Sequence, residues 1–203
     1  MNEIVPFALW RAILCVLAGY LMGNIQTAII VSKCYYHDDV RNHGSGNAGS
    51  TNMLRVFGVK PGLVTFLGDL SKALLSVLIG RFLMGVYGGY LAGFFVIVGH
   101  CFPAFAGFRG GKGVASSFGV ALLVFPVGAL CAIGVGLILL AITKKVSIMS
   151  LSGELAFLIL TIIFRHGDLP LVILVVLICA LVNVRHTDNI KRIIHGEEHA
   201  PIN

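Results

Sequence analysis

Charge is scarce in this chain. Asp, Glu, Lys and Arg make up 12% of its 203 residues, about half of the ~25% usual in soluble domains. Against that, 57% of residues are apolar and the mean hydropathy is +0.94. Long apolar runs recur from end to end, which excludes a soluble domain with a large core and calls for a polytopic membrane protein. Paired cysteine is also lacking. Cys15, Cys34, Cys101, Cys131 and Cys179 are scattered without a repeated spacing, so they read as small apolar residues and not as a disulfide or metal framework. No cluster of metal ligands stands out, and neither a metal nor any other cofactor is expected. A G-x-S-x-G nucleophile elbow is missing too, which argues against a serine acyl-enzyme. The net charge of +6 could serve nucleic acid, but a bias of Lys and Arg towards one side of a membrane accounts for it better.

The apolar runs set the expected topology. Ile4 to Val31 is interrupted by Arg11 and softened by Gly19, Gly23, Asn24 and Gln26. It is long enough for the ~20 residues a crossing needs, so it reads as a retained helix and not as a signal peptide. Gly62–Met84 and Tyr90–Phe105 follow, joined by a turn at Gly85–Gly89. Val114 to Thr143 would measure ~45 Å as one straight helix. Pro126 and Gly128 predict a break near Phe125–Gly128, giving two short helices. Leu151–Phe164 and Leu171–Val182 complete the set, and the tail from Asn183 is the one stretch that reads as soluble.

The expected fold class is therefore all-α: one polytopic domain over residues 1–203, with about seven transmembrane helices, the N-terminus outside and the C-terminus cytoplasmic. Loops 33–61, 106–113 and 143–150 and tail 183–203 then share the cytoplasmic face. That arrangement puts eleven Lys and Arg inside against Arg11, Arg81 and Arg165 outside, with Lys72 inside a span, as the positive-inside rule requires.

Two of these loops have the composition of anion sites. Gly44–Arg55 reads GSGNAGSTNMLR. Its glycines, Gly46 among them, can take positive φ, and successive amides in that geometry form a concavity for an anion. Ser45, Ser50 and Thr51 hydroxyls, Asn47 and Asn52 amides and the Arg55 fork add donors. A flexible Gly/Ser linker is the plainer reading, and the apolar setting of the run speaks against it. The second loop, GHCFPAFAGFRGGKGVASS from Gly99, sets Arg109 and Lys112 among Gly107, Gly110, Gly111 and Gly113, directly before a helix start. It is not a nucleotide P-loop, because Ala106 and Gly113 stand where G-x-x-x-x-G-K-[ST] needs Gly and Ser or Thr. A short basic, hydroxylated connection, KKVSIMS, carries Ser147 and Ser150. Three ionisable residues fall inside spans. Asp69 and Lys72 share one helix face at i, i+3 and serve either a wet cavity or a helix-locking pair, and Glu154 lies within an apolar helix.

At these three segments the sequence resembles the bacterial acyl-phosphate:glycerol-3-phosphate acyltransferase (PlsY) family of integral membrane enzymes. GSGNAGSTNMLR is similar to that family's first motif, GHCFPAFAGFRGGKGVA to its second and KKVSIMS to its third. A C-terminal H-x-x-N matches His186–Asn189. Departures are mild: Ala48 where many members carry Pro, and Ala73 where Gly is common.

The resemblance implies transfer of a fatty acyl group from acyl phosphate to the 1-hydroxyl of glycerol 3-phosphate, giving lysophosphatidate and phosphate on the route to phospholipids. It implies a multi-pass protein of the cell (inner) membrane, its site facing the cytoplasm, with membrane lipids as surroundings, no nucleic-acid partner and a monomer as the expected assembly. Ser45, Lys112, His186 and Asn189 would be catalytic. Substrate would be bound by Gly46, Asn47, Thr51, Asn52, Arg55, Arg109, Gly110, Gly111, Ser147 and Ser150. The general base stays open between His186 and a substrate phosphate oxygen. His100, deeper in an apolar helix, reads as a packing residue. An H-x-x-x-x-D pair, as used by acyl-carrier-dependent acyltransferases, is missing. The competing class is an anion or phosphate-ester transporter, for which Asp69, Lys72, Glu154 and broken helices would be suited.

Overall fold

The computed structural model describes residues 4–198, and the last five residues of the expected tail, 199–203, lie outside the described residues. The described residues form helices and no strand. In chain order these are α1 (Ile4–Asn24), α2 (Thr27–Tyr36), α3 (Ser50–Phe57), α4 (Val59–Cys101), α5 (Val114–Val124), α6 (Pro126–Thr143), α7 (Val146–Arg165), α8 (Leu169–Arg185) and α9 (Thr187–Ile194). Four helical stretches are long and apolar enough to cross a membrane, and a fifth joins them if α8 and α9, bent by 64°, count as one span.

One of those stretches is really two antiparallel arms. Within α4, Met84 and Gly85 leave helical geometry, and Gly85 takes φ +64°. Ser76 Oγ donates to the Ala92 carbonyl at 3.0 Å. In a straight helix those residues would stand about 24 Å apart, so arms 59–83 and 86–101 fold back on each other. Glycine makes the contact possible, since a Cβ at Gly80 would lie 2.2 Å from the Gly88 carbonyl oxygen. The expected turn at Gly85–Gly89 thus falls slightly earlier, at Met84–Gly85, because Gly88 and Gly89 are needed inside the packed arm.

The first apolar run is also divided. Helix α1 ends at Asn24 and α2 starts at Thr27. No proline causes the break; polar side chains hold it open. Gln26 Nε2 donates to the Gly23 carbonyl at 2.9 Å and to the His100 carbonyl at 3.2 Å, and Lys72 Nζ donates to the Ile25 carbonyl at 2.6 Å. Beside it α1 lies against arm 86–101 at backbone distance. A Cβ at Gly23 would meet the Val96 carbonyl oxygen at 2.3 Å, and one at Gly99 would meet the Tyr20 carbonyl oxygen at 2.3 Å. Small residues at a helix interface permit this approach and the dispersion gain that follows where lipid offers no hydrophobic drive.

The predicted break at Phe125–Gly128 is present. Phe125 leaves helical geometry and Pro126 opens α6, the position where its missing N–H costs nothing. Eleven residues of α5 span only about 16 Å. The third motif, expected to be a connection, is helical from Val146 onward; only Lys144 and Lys145 turn the chain, with Lys144 at φ +57°. Outward faces are strongly apolar: Phe82, Ile142 and Phe164 are all exposed, as expected of surfaces that meet lipid. Glu154 sits in α7 with both carboxyl oxygens buried and unpartnered.

Candidate active site

Helices that run back and forth bring every second connection to one end of the bundle, and there the three glycine- or serine-rich segments and the tail meet. They enclose a cavity of about 800 Å³ whose walls include Ser45, Asn47, Thr51, Asn52, Arg55, Lys112, Ser147, Ser150, His186 and Asn189. Ten of the fourteen residues singled out from sequence are therefore neighbours. Gly46, Arg109, Gly110 and Gly111 do not line it.

The first wall is a loop followed by a helix, not one long loop. Gly44 and Gly46 take φ of +58° and +69°, and Ser50 begins α3 directly after Gly49. Ser50 and Thr51 at that N-terminus face the cavity, and Arg55 projects from the last turn. Asn52 braces this loop from inside. Its Oδ1 accepts from the Ser45 amide at 3.0 Å, while Nδ2 donates to the Val40 and His43 carbonyls at 3.1 and 3.0 Å. With its amide engaged on both sides, Asn52 shapes the concavity and has little left for a ligand. Arg41 ties this wall to the next. Its guanidinium is held by Asp39 at 2.7 Å and donates to the Ala106 carbonyl at 2.8 Å. The Arg41 hydrogen bond keeps the Asp39 carboxyl well below the usual carboxylate range.

In the second wall the glycines are spacers. A Cβ at Gly110 would lie 2.0 Å from the His100 carbonyl oxygen, and one at Gly111 would lie 2.1 Å from His100 Nε2. Their carbonyls accept from Arg185 at 3.3 and 3.1 Å. Packed in this way, Gly110 and Gly111 aim Lys112 inward. Arg109 is exposed and lies outside the cavity lining, and its backbone carbonyl accepts from Arg41 at 3.3 Å. The Lys112 ammonium donates to Asn189 Oδ1. Burial pushes its pKa down to about 8, against the opposing pull of Glu198.

The third wall comes from α7 and from the bend between α8 and α9. Ser147 and Ser150 face inward from the first turns of α7. His186 caps α8, and its Nδ1 lies 2.9 Å from the Val182 carbonyl. A carbonyl only accepts, so Nδ1 carries the proton and Nε2 keeps its lone pair. Burial holds His186 down at about 4, so the ring is neutral at pH 7. The bend carries Asn189 and Arg192, one turn apart, back over the cavity. Glu198 reaches in as well, after Gly196 at φ +75°. Sequence reasoning missed both Arg192 and Glu198. The i, i+3 spacing of His186, Asn189 and Arg192 on one helix face could have pointed to Arg192; nothing local pointed to Glu198.

At the base of the cavity, where Asp69 and His100 form part of its wall, lies the intramembrane pair. Lys72 Nζ is 2.8 Å from Asp69 Oδ1 and 2.9 Å from His100 Nδ1, and it also donates to the Gly23 carbonyl at 3.3 Å. These groups satisfy one another, with Thr27 Oγ1 on Asp69 at 3.4 Å. His100 is hydrogen-bonded within this group and also borders the cavity.

A multi-pass helical membrane protein with a cationic, hydroxyl-lined cavity at one end of its bundle belongs among membrane proteins that handle phosphate esters. The family model described as Glycerol-3-phosphate acyltransferase matches residues 13–196. The glycerol-3-phosphate acyltransferase of Clostridioides difficile (strain 630) is 43% identical over 192 residues, covering 92% of this chain and 93% of the relative. That of Thermoanaerobacter sp. (strain X514) is 41% identical over 187 residues, covering 92% and 94%. The crystal structure of PlsY, an integral membrane glycerol 3-phosphate acyltransferase, in its glycerol 3-phosphate form superposes with a TM-score of 0.87 at 33% identity, covering 93% of this chain and 94% of that one. The chain belongs to the PlsY family of integral membrane glycerol-3-phosphate acyltransferases.

Proposed function

We propose that this protein moves a fatty acyl group from an acyl phosphate to the 1-hydroxyl of glycerol 3-phosphate, releasing 1-acylglycerol 3-phosphate and inorganic phosphate. The observation that carries this reading is the convergence of Arg55, Lys112, Ser147, Ser150 and Asn189 on one cavity. Both proposed substrates bear phosphate, and the cavity supplies cations and uncharged donors for it. Ser45, Asn47 and Thr51 hold the acyl-phosphate head, Arg55 and Lys112 bind phosphate, and Ser147, Ser150, His186 and Asn189 orient glycerol 3-phosphate. An acyl phosphate already carries a good leaving group, so positioning and charge stabilisation suffice for direct transfer. The 1-hydroxyl oxygen attacks the carbonyl carbon, the bond from that carbon to the phosphate oxygen breaks, and the hydroxyl proton goes to the departing phosphate. Even a phosphate monoester, with a second pKa of about 6, is a stronger base than a His186 held at about 4, and the departing phosphate is more basic still. In the same reading seven helical segments lie in the membrane, arms 59–83 and 86–101 counted separately, with the short α5 reaching only part of the way across. Lys112, Lys144, Lys145 and Arg185 then lie on the cytoplasmic side. The cavity needs one chain only, which supports a monomer.

The test uses purified protein, glycerol 3-phosphate and palmitoyl phosphate, with palmitoyl-CoA as a parallel donor. Phosphate and lysophosphatidate appearing together only with the acyl phosphate is the expected result. Turnover with the thioester alone would overturn the donor. The proton assignment has its own test in His186→Asn, which keeps a hydrogen-bonding group and removes the imidazole. Turnover should stay within about tenfold of the parent, because a true general base contributes ~10²–10⁴-fold. A loss in that larger range, with the acid side of the pH–rate curve flattened, would return the base to His186.

A further inference from the structure

The donors on the third wall close around a residue from outside all three motifs. Glu198, whose side chain is 7% exposed, accepts from Ser147 Oγ, from Asn189 Nδ2 at 2.7 Å and from Arg192 Nε at 2.9 Å. Asn189 Nδ2 also donates to Ser147 Oγ at 2.6 Å. A carboxylate has no proton to give, so the Ser147 hydroxyl must turn towards it and the Asn189 amide must present its NH₂ there. With that face fixed, Asn189 has only Oδ1 to offer on its other side, and Oδ1 is where the Lys112 ammonium is bound. The Lys112 ammonium can only donate and asks for the same orientation, so Glu198 and Lys112 hold the Asn189 amide from its two sides.

We propose that Glu198 is a positioning residue for the acyl transfer: it orients Ser147 and Asn189 and, through Asn189, holds the Lys112 ammonium against the cavity. This rests on the acyltransferase reading above. The charges around Lys112 give the role a measurable consequence. Glu198 and Asp188 pull to keep it protonated, and Arg192 and Arg185 push the other way. Arg55, Asp69, His100 and neutral His186 share the same cavity walls. Removing the Glu198 charge leaves Arg185 and Arg192 opposed by Asp188 alone, so Lys112 should lose its proton at lower pH. Neutral Gln keeps the shape and an acceptor, while Asp keeps the charge.

The experiment compares full-length protein with Glu198→Gln and Glu198→Asp in detergent, with two readouts. The first is the pH dependence of Lys112 modification by an amine-reactive reagent, followed by mass spectrometry, which needs no turnover. The second is kcat and KM for glycerol 3-phosphate across the neutral and alkaline range. In Glu198→Gln the labelling midpoint should fall by about one unit, since a nearby charge is worth ~1–3 units. The alkaline decline of kcat/KM should move with it, and kcat should drop about tenfold. In Glu198→Asp the midpoint should return towards the parent value, which keeps the proposal decidable if the Gln variant does not fold. A labelling midpoint unmoved by Gln overturns the proposal. So does a lower KM with faster turnover, which would make Glu198 a competitor for donors that substrate phosphate takes. If the parent protein turned over no acyl donor, the reaction assigned above would fall, and the labelling comparison would still decide Glu198.

Discussion

Lys112→Ala should cost about a thousandfold in kcat/KM, measured as phosphate release, while melting in detergent changes little. A preorganised donor aimed at developing charge is worth ~10²–10³ in rate, and Lys112 is the cation held deepest among the glycine spacers of the second wall. It sits on the loop before α5, and the hydrogen bond its loss removes is the one to Asn189 on α9. The same group sets a pH limit. With its pKa pushed down to about 8, Lys112 is charged below that value and neutral above it, so activity should fall as pH rises through about 8. Lys112→Arg sharpens the test. A guanidinium stays charged throughout this range, so the alkaline decline should vanish even if the bulkier fork lowers the rate. Near-normal turnover in Lys112→Ala would sink the phosphate-site assignment.

The contrast between Lys112 and Arg109 marks how far the sequence could be read. Both are cations in one glycine-rich loop, and composition cannot say which points inward. Packing decides: Gly110 and Gly111 are clamped between His100 and Arg185, which turns the next side chain in and the previous one out. Asn52 is a similar case, where residue type pointed to a ligand contact and the fold uses the amide to brace its own loop. The periodic and steric signals were legible. The helical hairpin within 59–101, the break at Phe125–Pro126 and the neighbourhood of the three polar segments all follow from apolar run length, proline position and charge bias. What stayed hidden depends on chain reversal. Glu198 enters the site only because α9 bends back by 64° and Gly196 turns the chain again, and no local pattern encodes the sum of two turns.

Lys72→Met should be the most destabilising single change among the buried polar residues. Lys72, Asp69 and His100 are 3%, 1% and 3% exposed, and the ammonium joins arm 59–83 of α4 to the break between α1 and α2 through the Gly23 and Ile25 carbonyls. Removing it strands Asp69 without its cation and takes the ammonium from the Ile25 carbonyl, while the Gly23 carbonyl keeps Gln26 Nε2. Breaking a buried pair from one side costs about 3–5 kcal/mol. At ~2–4 °C per kcal/mol for a chain of this size, the melting temperature should fall by roughly 6–20 °C. Cys15 and Cys101 are buried, so a thiol-reactive dye can follow unfolding in detergent over the background of exposed Cys34 and Cys131. Asp69→Asn combined with Lys72→Met should cost less than the sum of the single changes, because the pair is coupled. That cycle separates the two readings the pair allowed at the outset. A helix-locking pair predicts a large loss of stability and strong coupling. A pair that serves the cavity instead predicts near-normal melting with lost turnover, and that result would move Asp69 and Lys72 from the frame of this protein into its site.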